Sequence, residues 1–389
     1  MRRFLLDSYI FRVPYFFMVV IIGGMLLPAC SFAQKSTSST NGVIHDVVLR
    51  LPPGPDNPRN SEGAFVTLKD GRILFVYSRY TGNSSDDNAP AYLAGRYSSD
   101  GGKTWTTQDV KIIDREGDMN VMSVSLLRLK NGTIALFYLR KNSTLDCIPV
   151  VRFSTDEAKT WSAPIDCITD QKGYFVLNND RVIQLPDGRL MMAVARHSSP
   201  SDQKLQDKGA LFAYYSDNNG ATWTAGKQVP TPAAIITQEP GLVTLKDGRV
   251  LMFIRTNGGA QYASYSKDRG ATWSEAVPFT LKSPLAPASI KRIPSTGDLL
   301  AVWNNNDGSV AAIKGKRTPL TVAISKDEGK SWIHIQNLEA DPDGWYCYTA
   351  IHIYKNNVLL AYCAGSQQAK TYLSVINISR IAVTDLYKL

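Results

Sequence analysis

Charged and hydroxyl-bearing residues recur at fixed distances from six short turn signals in this 389-residue chain. Eight positions ahead of the turns stand Glu62, Ser123, Asn179, Glu239, Ala288 and Tyr348. Eight or nine positions after them stand Arg79, Arg140, Arg196 and Arg255, with Ala364 or Gly365 in the last copy. Arginines set against carboxylates and a tyrosine have two readings. Guanidinium forks bind carboxylates bidentately, so the set describes a pocket for an anionic ligand. The other reading is a ring of structural ion pairs.

The turns that set this spacing lie in "LKDGRILFVY" (Leu68–Tyr77), "LKNGTIALFY" (Leu129–Tyr138), "LPDGRLMMAV" (Leu185–Val194), "LKDGRVLMFI" (Leu245–Ile254), "IPSTGDLLAV" (Ile293–Val302) and "YKNNVLLAY" (Tyr354–Tyr362). Each joins two apolar runs through Asp-Gly, Asn-Gly, Thr-Gly or Asn-Asn, pairs that tolerate positive φ, and so predicts a β-hairpin. A second repeat is interleaved with the first. It reads "YSSDGGKTWT" (Tyr97–Thr106), "FSTDEAKTWS" (Phe153–Ser162), "YSDNNGATWT" (Tyr215–Thr224), "YSKDRGATWS" (Tyr265–Ser274) and "ISKDEGKSWI" (Ile324–Ile333). In these boxes Ser and Asp bond local backbone, Gly supplies an unusual φ and Trp packs between strands. Asn218 in place of Asp and Ala158 in place of Gly assign the boxes to folding rather than chemistry.

A hairpin period of about 50–60 residues holds four short strands. Six such sheets set radially make an all-β, six-bladed β-propeller, and helical patterning is nearly absent. A row of tandem sandwiches would not need the shared period. Val43–Leu51 and Thr371–Val383 are apolar enough to close the ring within one blade. In each blade the inner strand runs into its turn and the second strand runs back. Residues that begin the first and end the second therefore share one face near the axis.

Residues 1–33 read as a secretory signal peptide: Arg2, Arg3 and Arg12 flank the apolar run Tyr15–Leu27, and Ser31–Ala33 offers a small-residue cleavage site. "LPAC" (Leu27–Cys30) raises a second reading, lipid attachment at Cys30, although Pro28 suits it poorly. Residues 34–42 form a short linker and 43–389 one propeller domain. Both readings place the protein outside the cytoplasm, periplasmic or secreted, with no membrane span in the mature form. Removing residues 1–33 takes the net charge from +9 to +7. No Lys/Arg run is interleaved with aromatics, which argues against nucleic acid. Cys147, Cys167, Cys347 and Cys363 suit one or two structural disulfides in an oxidising compartment. Cys347 and Cys363 stand almost symmetrically about the turn Lys355–Asn357, which suggests a cross-strand bridge. The scattered histidines carry no zinc spacing, and neither a metal nor another cofactor is expected.

Boxes and hairpins together resemble the Asp-box (BNR) repeats of the sialidase (neuraminidase) superfamily, over nearly the whole chain beyond the signal segment. The resemblance implies an exo-acting glycosidase that releases a terminal sialic acid, or a related acidic sugar, from a glycan with retention. "QEPGLVTLKDGRVLMFIR" (Gln238–Arg255) is similar to the family segment that carries a mid-chain Glu and Arg, implying roles for Glu239 and Arg255. "RTPLTVAISKDEGKSW" (Arg317–Trp332) resembles the segment with a further arginine, here Arg317. "YCYTAI" (Tyr346–Ile351) resembles the strand bearing the family's nucleophilic tyrosine, giving Tyr348 with Tyr346 as its rival. The family's acid aspartate corresponds to Asp86 or Asp87 in the loop after Arg79, with Asp87 preferred. Such residues suit one another. Sialic acid carries a carboxylate on its anomeric carbon, so arginines must hold it and a carboxylate nucleophile would be repelled. A neutral Tyr assisted by Glu is workable instead. Asp87 would protonate the leaving oxygen and then activate water.

The chain departs from the family at one arginine. An "R-I-P" opens the family's first inner strand, whereas "NSEGAFVTL" (Asn60–Leu68) puts Ser61 and Glu62 there. Arg59 and Arg79 are the substitutes at hand. The "RIP" at Arg292–Pro294 runs into the fifth turn and faces the opposite side. Glu62 repels a substrate carboxylate unless it pairs with an arginine or binds a sugar hydroxyl. Arg79, Arg196, Asp86, Glu62, Asp118, Asn179 and Tyr346 complete the substrate-binding candidates, and Asn120, Lys141, Asp180 and His197 are further polar rim residues. The alternative function is a carbohydrate-binding propeller without catalysis, or a glycosidase or lyase of the same fold acting on a different sugar. Hydrolysis needs Tyr348 and Glu239 about 3 Å apart, and binding needs neither.

Overall fold

Gly71, Gly132, Gly188, Gly248 and Gly297 all adopt left-handed φ, between 74° and 100°, as the first five hairpin turns require. Gly71 donates its N–H to Leu68 O at 3.0 Å while Leu68 donates to Arg72 O at 2.8 Å, and the same pair of bonds recurs at Leu129, Leu185 and Leu245. The sixth turn is tighter. Tyr354 pairs directly with Asn357, so the turn residues are Lys355 and Asn356 rather than Asn356 and Asn357.

In this computed structural model, residues 45–388 are described. The expected signal segment, the linker and Cys30 lie outside them. The architecture is an all-β propeller. Four sheets have four antiparallel strands each, and a nine-stranded sheet contains the second and third hairpins, joined by one parallel contact between Tyr174 and Cys147. Inner strands are Asn60–Thr67, Asn120–Arg128, Thr237–Thr244, Ser289–Arg292 and Gly344–Tyr354. The third is interrupted into Tyr174–Val176 and Ile183–Gln184. The N-terminal strand Asp46–Leu51 pairs antiparallel with Ile376–Ala382, and so completes the sheet of the last hairpin as expected. No helix among the described residues is long and apolar enough to cross a membrane.

The boxes do the same structural work five times. In the first, Gly102 N–H donates to Ser98 Oγ at 2.8 Å, and Asp100 accepts from Ser98 Oγ, Thr104 N and Thr104 Oγ1 at 2.7–2.9 Å. Asn218 keeps this pattern by donating Nδ2 to Thr222 Oγ1 at 2.8 Å, and Ala158 takes the glycine conformation at φ 64°. The box tryptophans cover apolar edges. Trp105 lies 6.0 Å from Phe65, and Trp223 meets Phe137 edge-on at 5.8 Å.

Six apolar clusters fill the spaces between consecutive hairpin units. The last of them packs Phe65, Phe75 and Ala94 of the first unit against Ala350, Leu359 and Ile378 of the last. The ring is thus closed by hydrophobic burial as well as by the shared sheet.

Candidate active site

Inner strands do more than line the axis, because four of them are bulged at the same place. Pairing slips between Ser61 and Ala64, Met122 and Ser125, Gln238 and Gly241, and Cys347 and Ala350. The bulge residues Glu62, Ser123, Glu239 and Tyr348 sit at φ 56°, 58°, 38° and 56°. A bulge re-aims one side chain, and left-handed φ in non-glycine residues is strain that the surrounding sheet must hold. Behind the bulges Asn179 Nδ2 donates to Gly63 O at 2.8 Å and to Tyr348 O at 3.1 Å, tying two of these strands together.

Tyr348 Oη donates to Glu239 Oε1 at 3.0 Å, and Arg255 Nη1 donates to Glu239 Oε2 at 2.6 Å. The Arg317 guanidinium stands 5.4 Å from the Tyr348 ring centre and 5.2 Å from that of Trp345. Burial favours the neutral form of Glu239, but Arg255 and Arg317 more than offset it and hold the carboxyl below its ordinary range. Burial, and then the Glu239 charge, push the Tyr348 phenol well up. The pair is therefore a neutral phenol bonded to a carboxylate between two guanidinium groups. Such a carboxylate can take the phenol proton while the phenol oxygen forms a new bond.

Arg59 stands just ahead of the first inner strand. Its Nη2 pairs with Glu62 Oε1 at 3.0 Å, its Nη1 pairs with Asp87, and its guanidinium covers the Tyr80 ring at 4.6 Å. Glu62 is also bonded by Ser123 Oγ, and burial raises its pKa. The carboxylate expected to repel an anion is thus matched to an arginine. Burial raises the Asp87 pKa, but Arg59, followed by Lys141, outweighs that and keeps it low. Lys141 Nζ and Asn120 Nδ2 both donate to Asp87 O, at 2.7 and 2.9 Å, and fix the loop. A cavity of about 360 Å³ adjoins Asp87, lined by Arg59, Ser84, Asp86, Lys370 and Tyr372 among others. Arg59 Nε, Arg255 Nε and Asn179 Oδ1 are buried without protein partners.

Several expected residues lie elsewhere. Arg79 pairs with Asp109 Oδ2 at 3.0 Å, Arg140 with Asp166 Oδ1 at 2.9 Å, and Arg196 with Gln171, stacked on Phe212. All three stand nine residues after the first residue of the turn, whereas Arg255 stands eight after it. A one-residue slip turns a strand side chain to the other face, so the four-arginine ring does not form and only Arg255 enters the cluster. Tyr346 is buried in the apolar core, edge-on to Tyr362 at 6.4 Å, and does not reach Glu239. Asp118 is exposed. Asn179 braces backbone rather than lining the cavity. In the break of the third inner strand the left-handed residue is Asp180, φ 57°, whose carboxylate turns to Lys291 Nζ at 2.7 Å. Sequence reasoning named Arg59 only as a substitute; its signal was its place just ahead of the first inner strand. It missed Arg181, which is buried and donates from Nη2 to Ala288 O at 2.6 Å. The four cysteines are free and buried, and Cys347 lies directly across from Cys363 without a bond between them.

The sequence profile of the BNR repeat-like domain matches residues 96–361. A sialidase of Paraclostridium sordellii is 28% identical over 269 residues, covering 61% of this chain and 64% of that relative. The chain thus matches less than two thirds of the relative's length. Among solved structures, a protein of unknown function from Dyadobacter fermentans superposes with a TM-score of 0.68 at 18% identity, covering 88% of this chain and all of that one. The Hadza microbial sialidase Hz136 superposes with a TM-score of 0.67, also at 18% identity, over 85% of this chain and 66% of its own. At these identities the superpositions speak for the fold.

Proposed function

This chain belongs to the BNR repeat-like domain family of the sialidase superfamily, and from that premise we propose that it is a retaining, exo-acting sialidase-type glycoside hydrolase. In this reading the inner hairpins are six blades, and the substrate is a glycan ending in sialic acid or a related acidic sugar. The observation that carries it is the 3.0 Å bond from Tyr348 Oη to Glu239, flanked by Arg255 and Arg317.

Arg59, Arg255 and Arg317 hold the carboxylate on the anomeric carbon, with Arg59 in the place of the family's first arginine. Tyr348 Oη attacks that carbon and its proton passes to Glu239. The bond to the glycosidic oxygen breaks as Asp87 donates a proton to it. Water then attacks the same carbon, losing its proton to Asp87, and the Tyr348 oxygen leaves and recovers its proton from Glu239. Two displacements retain the configuration. Asp87 must carry a proton for the first displacement, yet its pairing with Arg59 disfavours one. Substrate supplies the remedy: when its carboxylate takes the Arg59 guanidinium, Asp87 loses the partner that keeps it ionised.

The test is turnover of an aryl α-sialoside by the mature protein. Wild type is expected to hydrolyse it with retention, and Tyr348→Phe and Glu239→Gln to lose at least about a hundredfold in kcat while staying folded. A folded wild type that binds sialic acid without turnover would instead identify a carbohydrate-binding propeller.

A further inference from the structure

Arg317 is half-buried, and among the described residues it makes no ion pair with a carboxylate. Its hydrogen-bond acceptor is sulfur: Nη1 donates to Cys347 Sγ at 3.0 Å. Cys347 is the residue before Tyr348 and lies opposite Cys363 in the strand pair, and the two thiols interact. Cys363 Sγ in turn lies 3.5 Å from Ser61 Oγ, which accepts from Arg59 Nη2 at 3.3 Å. Two opposed sulfurs and one hydroxyl thus lie between the guanidinium groups of Arg317 and Arg59. The sulfurs are unequal partners. Burial alone raises the Cys347 thiol, but the bond from Cys363 and the charge of Arg317 more than offset it. Cys363 is pushed up, first by its bond to Cys347 and then by burial. Cys363 Sγ donates to Leu373 O at 3.8 Å, and Cys347 Sγ is the acceptor that faces Arg317.

We propose that Cys347 is a positioning residue for Arg317, and that its pairing with Cys363 makes the grip of the site on an anionic substrate sensitive to redox state. This rests on the sialidase-type reading only for the identity of the anion. In the dithiol form Cys347 Sγ holds the guanidinium beside Tyr348. A disulfide reagent converts the pair by exchange: both protein S–H bonds and the reagent S–S bond break, and the Cys347–Cys363 bond forms. The reagent leaves as two thiols that carry the two protons. Directly opposed residues of an antiparallel pair have Cα atoms about 4.5–5.5 Å apart, within the span of a disulfide. A disulfide sulfur is a poorer acceptor than the thiol sulfur it replaces and is drawn toward Cys363, so Arg317 loses its hold.

The experiment compares wild type, Cys347→Ala, Cys347→Ser and Cys363→Ser on an aryl α-sialoside, before and after treatment with oxidised glutathione. Cys347→Ala is expected to raise KM roughly tenfold with kcat little changed, as fits the loss of one charged hydrogen bond. Cys347→Ser keeps an acceptor and should recover most of the affinity. Oxidised wild type should lose two hydrogens by mass and show the Cys347→Ala KM, while Cys363→Ser shows no such mass loss. A Cys347→Ala enzyme with wild-type KM, or a disulfide that forms without raising KM, overturns the proposal. If wild type turns over no sialoside, the hydrolase reading fails by itself and a second readout decides this one. That readout is the far-ultraviolet thiolate absorbance of wild type minus Cys347→Ser, followed against pH. Arg317→Gln should shift its appearance to higher pH, and an unshifted curve overturns the pairing.

Discussion

Two carboxylates of the cluster have opposite tasks, and their surroundings set how the reaction should respond to pH. Glu239 must be ionised to receive the Tyr348 proton, and Arg255 and Arg317 keep it so despite burial. Asp87 must be protonated, and in the free protein Arg59 works against that. The kcat/KM profile reports the free enzyme and kcat the bound one. Activity should fall at the acid side as Glu239 gains a proton and at the alkaline side as Asp87 loses one. Since both groups are depressed in the free protein, kcat/KM should peak on the acid side of neutrality. Substrate draws Arg59 away from Asp87, so the alkaline limb of kcat should lie at higher pH than that of kcat/KM. Superimposable alkaline limbs, measured by initial rates across pH, would remove Arg59 from that exchange.

The bulge is the element that turns a repeated strand into a site. Four inner strands spend one extra residue at the same place, which brings Glu62, Ser123, Glu239 and Tyr348 to face inward with left-handed φ. Gly63 follows Glu62 where a Cβ would meet the Phe75 ring at 2.4 Å and Val76 O at 2.7 Å. Gly63→Ala should therefore cost about 1–3 kcal/mol of stability by overpacking. The shift also displaces Glu62 and, through it, Arg59, so KM should rise together with the loss of thermal stability. Gly71→Ala tests the specificity of the effect. It meets no atom within 4 Å and only carries the penalty of φ 86°, so it should destabilise and leave KM alone.

At the scale of the whole molecule, a single ring of packed sheets holds residues that are far apart in sequence. Tyr348 and Glu239 are 109 positions apart, and Glu62 and Ser123 are 61 apart. Closure depends on Asp46–Leu51 pairing with Ile376–Ala382 and on the apolar cluster shared by the first and last units. Deleting residues 46–51 should lower the thermal midpoint by more than about 5 °C. Hydrogen exchange should then accelerate first in Ile376–Ala382 and only later in Ile134–Lys141, which lies remote from the seam. Uniform acceleration would mean that closure does not rest on that strand.

Much of this was legible in the chain itself, for reasons that are local. Turn chemistry at Asp70–Gly71 and its copies, apolar alternation and the Ser–Asp–Gly–Trp boxes are short-range signals, and they determined the hairpins, their period and the propeller. The same period put Glu62, Glu239 and Tyr348 at equivalent positions. The arginines show where such reasoning stops. Arg79, Arg140 and Arg196 differ from Arg255 by one position, which turns them to the other face of the strand, but only packing decided that they meet Asp109, Asp166 and Gln171 while Arg255 meets Glu239. The opposition of Cys347 and Cys363 was legible from their symmetry about the last turn, but the partners of Arg59 and the bond from Arg317 to Cys347 were decided by contacts between different strands and loops, which no local pattern encodes. Hydrogen bonding along one chain segment is written in its sequence, but which charge meets which across a closed ring depends on register and packing, and those exist only in the folded molecule.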